Sequence, residues 1–209
     1  MSNLFNNLSL DDDINEKKMK KNITQKNLSL QDKQTMNTQQ LFNKEDALKI
    51  IFPHTWNVWI HKNSSKDWSL SSYDRIMPVN NAAEFWNFIN NFNKINYMDY
   101  QFFMMRNDIK PTWEDPVNYN GGAASIRLKL SDKNLLKIWE DICLYVLCDQ
   151  ICTEITTING ISFNLKNDLV VIKIWNDNIN NDISKKINKQ LVSKYRLFQI
   201  VYIKNRPNM

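Results

Sequence analysis

At 209 residues and 24.9 kDa the chain has room for one domain of ordinary size plus an extension. Hydrophobic residues make up 43% and aromatics 11%, enough for one core, while only 3 glycines exclude a glycine-rich phosphate loop. The net charge of +5 and pI near 9.0 suit a polyanionic partner without the dense basic stripe of a general nucleic-acid binder.

Residues 1–48 are dominated by Asn, Lys, Gln, Asp and Ser, with Phe5 and Phe42 their only aromatics. Such a segment buries too little apolar surface to offset its ordering entropy, so a disordered polar tail is expected, with short helical stretches around 28–33 and 43–51. Its first residues lack the basic-then-apolar pattern of a signal peptide. The folded domain is expected over 49–209. Thr55–Ile60 reads as a strand, and Asp67-Trp68-Ser69 as the loop after it. Asn81 with Glu84 three residues later forms a capping-box pattern, and Phe85, Phe88, Ile89 and Phe92 then share one helical face. Tyr100–Met105 is a strand, and Gly121-Gly122 a turn into the alternating strand Ala124–Leu130. A second helix is expected from a Ser131 cap to Leu147, with Leu135, Ile138, Trp139 and Ile142 on its apolar face. Ile161–Leu165 and Leu169–Trp175 form a hairpin, Ile183–Leu197 a third amphipathic helix, and Phe198–Ile203 a closing strand. Strands interrupted by three helices without βαβ alternation predict an α+β fold, a curved antiparallel sheet with helices on one face.

Cys143, Cys148 and Cys152 form no CxxC pair, and His54 and His61 lie far from them in sequence. A disulfide framework, a zinc site and a bound cofactor are therefore not expected, and a reducing, intracellular compartment is the simplest inference. No apolar run approaches the ~20 residues that span a bilayer.

The tryptophans carry the chemistry. Trp56, Trp59 and Trp139 sit in apolar stretches and are assigned to the core, whereas Trp68 and Trp113 stand among Ser, Lys, Asp, Pro and Glu, where large aromatics more often bind than pack. Trp175 ends an apolar strand, and composition alone leaves it between the two roles. Two facing indoles with Glu114 beside one of them form a slot for a flat, positively charged, hydrogen-bonding ring. 7-Methylguanine fits that description: the indoles supply cation–π attraction, and the carboxylate accepts from N1–H and the exocyclic amine.

Across residues 52–204 the chain resembles the eukaryotic translation initiation factor 4E family of mRNA cap-binding proteins. The resemblance rests on Trp56-Asn57-Val58-Trp59, Lys66-Asp67-Trp68, Glu84-Phe85-Trp86, Pro111-Thr112-Trp113-Glu114-Asp115, Gly121-Gly122 and Ile172-Lys173-Ile174-Trp175, in the family's order and close to its spacing. It implies a cupped antiparallel sheet with three long helices on its convex face and the cap slot on the concave side. It implies further that Trp68 and Trp113 sandwich the methylated base, that Glu114 and the Trp113 backbone N–H hold the guanine edge, and that Trp175 contacts the N7-methyl. At the phosphate end the chain departs from the family. Lys166 stands for an arginine and loses its bidentate fork. Val171 stands for a lysine, although Lys173 shares its strand face. Ala123-Ala124 replaces Arg-Trp, and Lys204 and Arg206 are the expected compensating charges.

The resemblance also implies a partner surface for a short Tyr- and Leu-containing helix of a 4G-like scaffold or a 4E-binding protein. Its residues here are Trp86, Glu140, Leu144 and Leu147, with Ala82 at the margin; Glu140 replaces an apolar residue. The expected function is cap binding in translation initiation by a monomeric, cytoplasmic, non-enzymatic module that contacts capped mRNA and no membrane. The alternatives are a cap-binding repressor and a general RNA or nucleotide binder without methyl selectivity. A cap-processing hydrolase would need clustered metal-binding carboxylates, and Asp99, Asp108 and Asp115 are scattered in sequence.

Overall fold

The computed structural model describes residues 46, 48–92, 94–153 and 157–205, so the expected tail lies outside the described residues except for Asp46 and Leu48. Seven strands form one sheet: β1 (Ile51–Lys62), β2 (Tyr73–Asn81), β3 (Tyr100–Arg106), β4 (Gly122–Lys129), β5 (Ile158–Lys166), β6 (Leu169–Asn176) and β7 (Ile200–Lys204). Their order is β2-β1-β3-β5-β6-β4-β7, and every neighbouring pair is antiparallel. Register shifts between Val58 and Trp59 on β1 and between Ile158 and Gly160 on β5 mark irregularities of the kind that bend a sheet.

Side-chain alternation sorts the sheet into two faces. One phase is apolar throughout: Trp56 and Val58, Phe102 and Met104, Ile161 and Phe163, Ile172 and Ile174, Ala124 and Ile126 all join the main core. Helices cover this phase. Helix α1 (Ala82–Phe92) buries Phe85, Phe88 and Phe92, each contributing roughly 1.5–3 kcal/mol. Helix α3 (Leu135–Leu147) buries Leu135, Ile138, Trp139 and Ile142. The other phase carries a smaller cluster of Tyr73, Phe103, Met105, Ala123 and Trp175, with Trp59 packed against it. Trp56 and Trp139 are thus core residues as expected, but Trp59 belongs to the opposite face.

Helix α1 begins with the expected box, the Glu84 N–H donating to Asn81 Oδ1 at 2.9 Å while the Glu84 carboxylate reaches back to the Asn80 N–H at 2.5 Å. Helix α3 starts later than expected, at Leu135 after Asn134 rather than from Ser131. The third helix is not continuous. A 3-10 turn, Ile183–Lys185, is separated from α4 (Lys189–Tyr195), where Asn188 accepts from the Gln190 N–H at 2.9 Å. Ile187, between them, pairs with Cys152 instead of extending a helix. Strand β2 escapes sequence patterning because Asp74, Arg75 and Pro78 interrupt it. Its place at the sheet edge is where proline is tolerated. Among the described residues no helix is long and apolar enough to cross a membrane.

Candidate functional site

Two loops rise from the polar phase of the sheet. The first, between β1 and β2, carries Trp68. The Asp67 carbonyl anchors it, accepting from Ser72 Oγ at 2.8 Å and from His61 Nε2 at 2.7 Å. A carbonyl can only accept, so His61 carries its proton on Nε2. The Asp67 carboxylate accepts from the Ser69 N–H at 2.8 Å, and this backbone bond with the Ser69 hydroxyl holds its pKa below the usual range. His61 lies flat against Trp68, ring centroids 4.5 Å apart and planes 14° apart.

The second loop, between β3 and β4, carries Trp113 and Glu114. Asp115 accepts from the Lys110 N–H and, as N-cap of the short helix α2 (Pro116–Tyr119), from the Val117 N–H, both at 2.9 Å. Asn118, fully buried, donates to the carbonyls of Lys110 and Thr112 at 2.9 and 2.8 Å and accepts from Asn159 at 3.0 Å. The Trp113 ring is backed by Tyr119, centroids 6.1 Å apart.

Trp68, Trp113, Glu114 and Trp175 line one cavity of about 280 Å³, together with Lys173, Tyr73, Gln101, Phe103, Asn164 and Asn205. Neither His61 nor Tyr119 lines it, so each indole has one ring behind it and the cavity in front. Trp68 is 53% exposed, surface that a bound ring would cover; Trp175 is only 8% exposed and forms the floor. The Trp175 N–H donates to Ser162 Oγ at 3.2 Å, and its ring meets Phe103 edge-on at 6.3 Å. Gly160, paired with Trp175 across β5–β6, has no room for a Cβ because Met105 fills the space. The same holds for Gly122 beneath the Tyr202 ring, which lets β7 close against β4.

The cavity is electrically polar. Burial first, then the Glu114 charge, pushes the Tyr73 phenol up to about 12. At the other end burial lowers Lys173, and the neighbouring charge that adds to this is Lys166 rather than Glu114. The carboxylate therefore acts on Tyr73, while Lys173 lines the cavity under the influence of Lys166, which lies beyond the lining. Ala123, opposite Trp175 in register, is buried and small, so the floor there is open to Trp175 rather than covered by a long side chain.

Lys204 does not reach this cavity. Alternation along β7 puts Ile203, not Lys204, on the phase of Ala123, and Lys204 lines a separate hollow of about 50 Å³ beside Tyr119 and Gly121. Arg206 lies outside the described residues. Tyr73, Gln101, Phe103, Asn164 and Asn205 were not singled out from sequence. Tyr73 opens the strand that patterning missed, and only register brings the others to the cavity.

On the helical face, Leu136, Glu140 and Leu144 follow one another at four-residue spacing on α3, all partly exposed, and Trp86 is partly exposed on α1. Leu147, expected among the contact residues, is completely buried in the core and presents no surface on this stripe. A groove of about 260 Å³ between α1 and α3 is lined by Ile89, Leu136, Lys137 and Glu140 among others. Lys137 bonds Glu140 at 2.5 Å and Asp141 at 3.1 Å. Asp141 also accepts from Lys194 at 2.6 Å and the Tyr195 hydroxyl at 2.7 Å. Burial acts to raise the Asp141 carboxyl, but these three partners outweigh it and hold it below the usual range.

A family profile described as Eukaryotic initiation factor 4E matches residues 51–206. Initiation factor 4E-2 of Schizosaccharomyces pombe is 27% identical over 154 residues, 69% of this chain and 62% of its own length. Initiation factor 4E of Eremothecium gossypii is 29% identical over 169 residues, 75% and 77% of the two chains. The match thus spans about three fifths of the first relative and three quarters of the second. Among solved structures, Ascaris suum eIF4E-3 in complex with an m2,2,7G cap superposes with a TM-score of 0.63 at 20% identity, over 77% of this chain and 94% of that one. Caenorhabditis elegans eIF4E-3 in complex with the 4E-binding protein Mextli and a cap analog gives 0.63 at 16% identity, over 77% and 98%. At these identities the likeness is one of fold.

Proposed function

The chain belongs to the eukaryotic initiation factor 4E family, and from that premise we propose that residues 49–209 bind the 7-methylguanosine cap of mRNA in translation initiation. Trp68 and Trp113 take the two faces of the methylated base, Glu114 with the Trp113 backbone N–H takes the guanine edge, and Trp175 lies at the methyl. Lys173 and Lys166 take the phosphates. The observation that carries this reading is the polarity of the cavity: a carboxylate that acts on Tyr73, and a lining lysine, Lys173, whose neighbouring charge is Lys166 rather than that carboxylate. A cationic base joined to a polyphosphate has the complementary layout. The reverse orientation would set the cationic ring against Lys173. The module is a binding protein rather than an enzyme, works in the cytoplasm, and offers Trp86 with the Leu136–Glu140–Leu144 stripe to a helix of a scaffold or 4E-binding protein. Residues 1–48 are its polar tail.

Retention on immobilised 7-methyl-GTP, with elution by 7-methyl-GTP or by GTP, tests the base slot. A desolvated cation–π contact is worth about 2 kcal/mol, so GTP should need roughly 30-fold more ligand to elute the protein. Equal elution by both nucleotides would reject the cationic sandwich and leave a general nucleotide binder.

A further inference from the structure

We propose that the cavity continues into a phosphate track on the same face of the sheet, and that Arg127 and Lys129 hold there the first nucleotides of a capped RNA. The inference rests on the reading of the cavity as the cap site and adds a contact that reading does not contain. In register, Lys173 lies one two-residue step along β6 from Trp175, and Val171 and Leu169 follow on the same phase. Val171 pairs with Arg127 of β4, and Leu169 pairs with Lys129 of β4 on one side and Lys166 of β5 on the other. Rows of positive charge therefore run outward from the cavity at steps of about 6.6 Å: Lys173, then Arg127, then Lys129 with Lys166.

Arg127, Lys129 and Lys166 are exposed, and among the described residues no carboxylate forms an ion pair with them. Asp168, in the β5–β6 turn, is the nearby acid, tied into the fold through its carbonyl, which accepts from the Leu130 N–H at 2.9 Å. The Lys166 charge acts on Lys173, which ties the outer row on β5 to the cation at the cavity. A free nucleotide held by Lys173 and Lys166 stays on the β5 side of β6, whereas a polymer that continues from it meets further cations on the β4 side, at Arg127 and Lys129. The occupant that fits is therefore single-stranded RNA continuous with the cap, not a second small molecule.

The test compares 7-methyl-GTP with a capped oligonucleotide of about ten residues on the full chain and on an Arg127→Thr/Lys129→Thr variant. Threonine keeps the strand preference at exposed positions, and binding of 7-methyl-GTP reports that the variant is folded. The variant should bind 7-methyl-GTP as the parent does, bind capped RNA roughly tenfold more weakly, and lose about 1.4 from the slope of log K against log salt, the loss for two contacts on a single strand. Equal affinity of both proteins for capped RNA, with 7-methyl-GTP binding intact, overturns the track alone. A parent chain that binds neither ligand overturns the cap reading and the track with it.

Discussion

Glu114 is exposed, and in the free protein water satisfies its carboxylate. Its value to a ligand arises only when a base covers it and replaces that water with N–H donors. Hydrogen bonds to charged groups contribute about 1.5–3 kcal/mol, so Glu114→Ala should weaken 7-methyl-GTP binding by roughly ten- to 150-fold by fluorescence titration. The same substitution removes a charge that raises the Tyr73 phenol, which should then titrate below its present value of about 12 in an ultraviolet absorbance titration. Affinity within about twofold of the parent would mean that Glu114 does not read the base. At this scale the sequence was most informative where residue type and setting conflict, as at Trp68 and Trp113, large aromatics among polar neighbours. It was least informative where a side chain's direction matters. Lys204 is basic and close in sequence to the cavity, yet one step of strand parity turns it away, while its neighbour Asn205 lines the cavity.

The loop between β3 and β4 shows why elements with regular patterns were legible and their connections were not. Strands β1, β3, β5 and β6 and helices α1 and α3 announce themselves through periodicity. Helix α2 is four residues long and has no period to detect. What shapes this loop is Asn118, a buried amide whose partners are carbonyls at Lys110 and Thr112 and the amide of Asn159, a residue on β5. Nothing in the local sequence distinguishes it from the chain's many other asparagines. Asn118→Ala would remove all three bonds: the Thr112 carbonyl keeps the Asp115 N–H and Asn159 keeps the Val117 carbonyl, so the loss falls chiefly on the Lys110 carbonyl, at about 1–3 kcal/mol. The expected result is a lower melting temperature, faster amide exchange over 110–117, and weaker 7-methyl-GTP binding, because Trp113 is held through this loop. Unchanged exchange there would mean that Asp115 alone keeps the loop in place. The third helix has a similar explanation: its apolar residues have helical spacing, but Asn188 starts a new helix after Ile187 has paired with Cys152.

At the scale of the whole domain, one sheet separates two surfaces with different chemistry. The cavity with Trp113 rests on the polar phase, and the stripe of Trp86, Leu136 and Leu144 rests on helices that cover the apolar phase. The two share no side-chain partner among the contacts around them; what lies between is the packed core of Phe85, Phe88, Phe92, Phe102 and Trp139. Sites separated in this way should add, with a coupling no larger than about 0.3–0.5 kcal/mol. Trp86→Ala should therefore weaken binding of a Tyr- and Leu-containing scaffold helix by about 2 kcal/mol or more, as truncation of a central aromatic anchor does, and leave 7-methyl-GTP affinity within about twofold. Trp113→Ala should do the reverse, and the double variant should show the sum of the two losses by isothermal titration with each ligand. Undiminished helix binding by Trp86→Ala would move the partner surface elsewhere. A Trp86→Ala variant that also lost 7-methyl-GTP binding while melting like the parent would show that the core between the two surfaces transmits as well as separates, and that the partner acts on the cap site through α1.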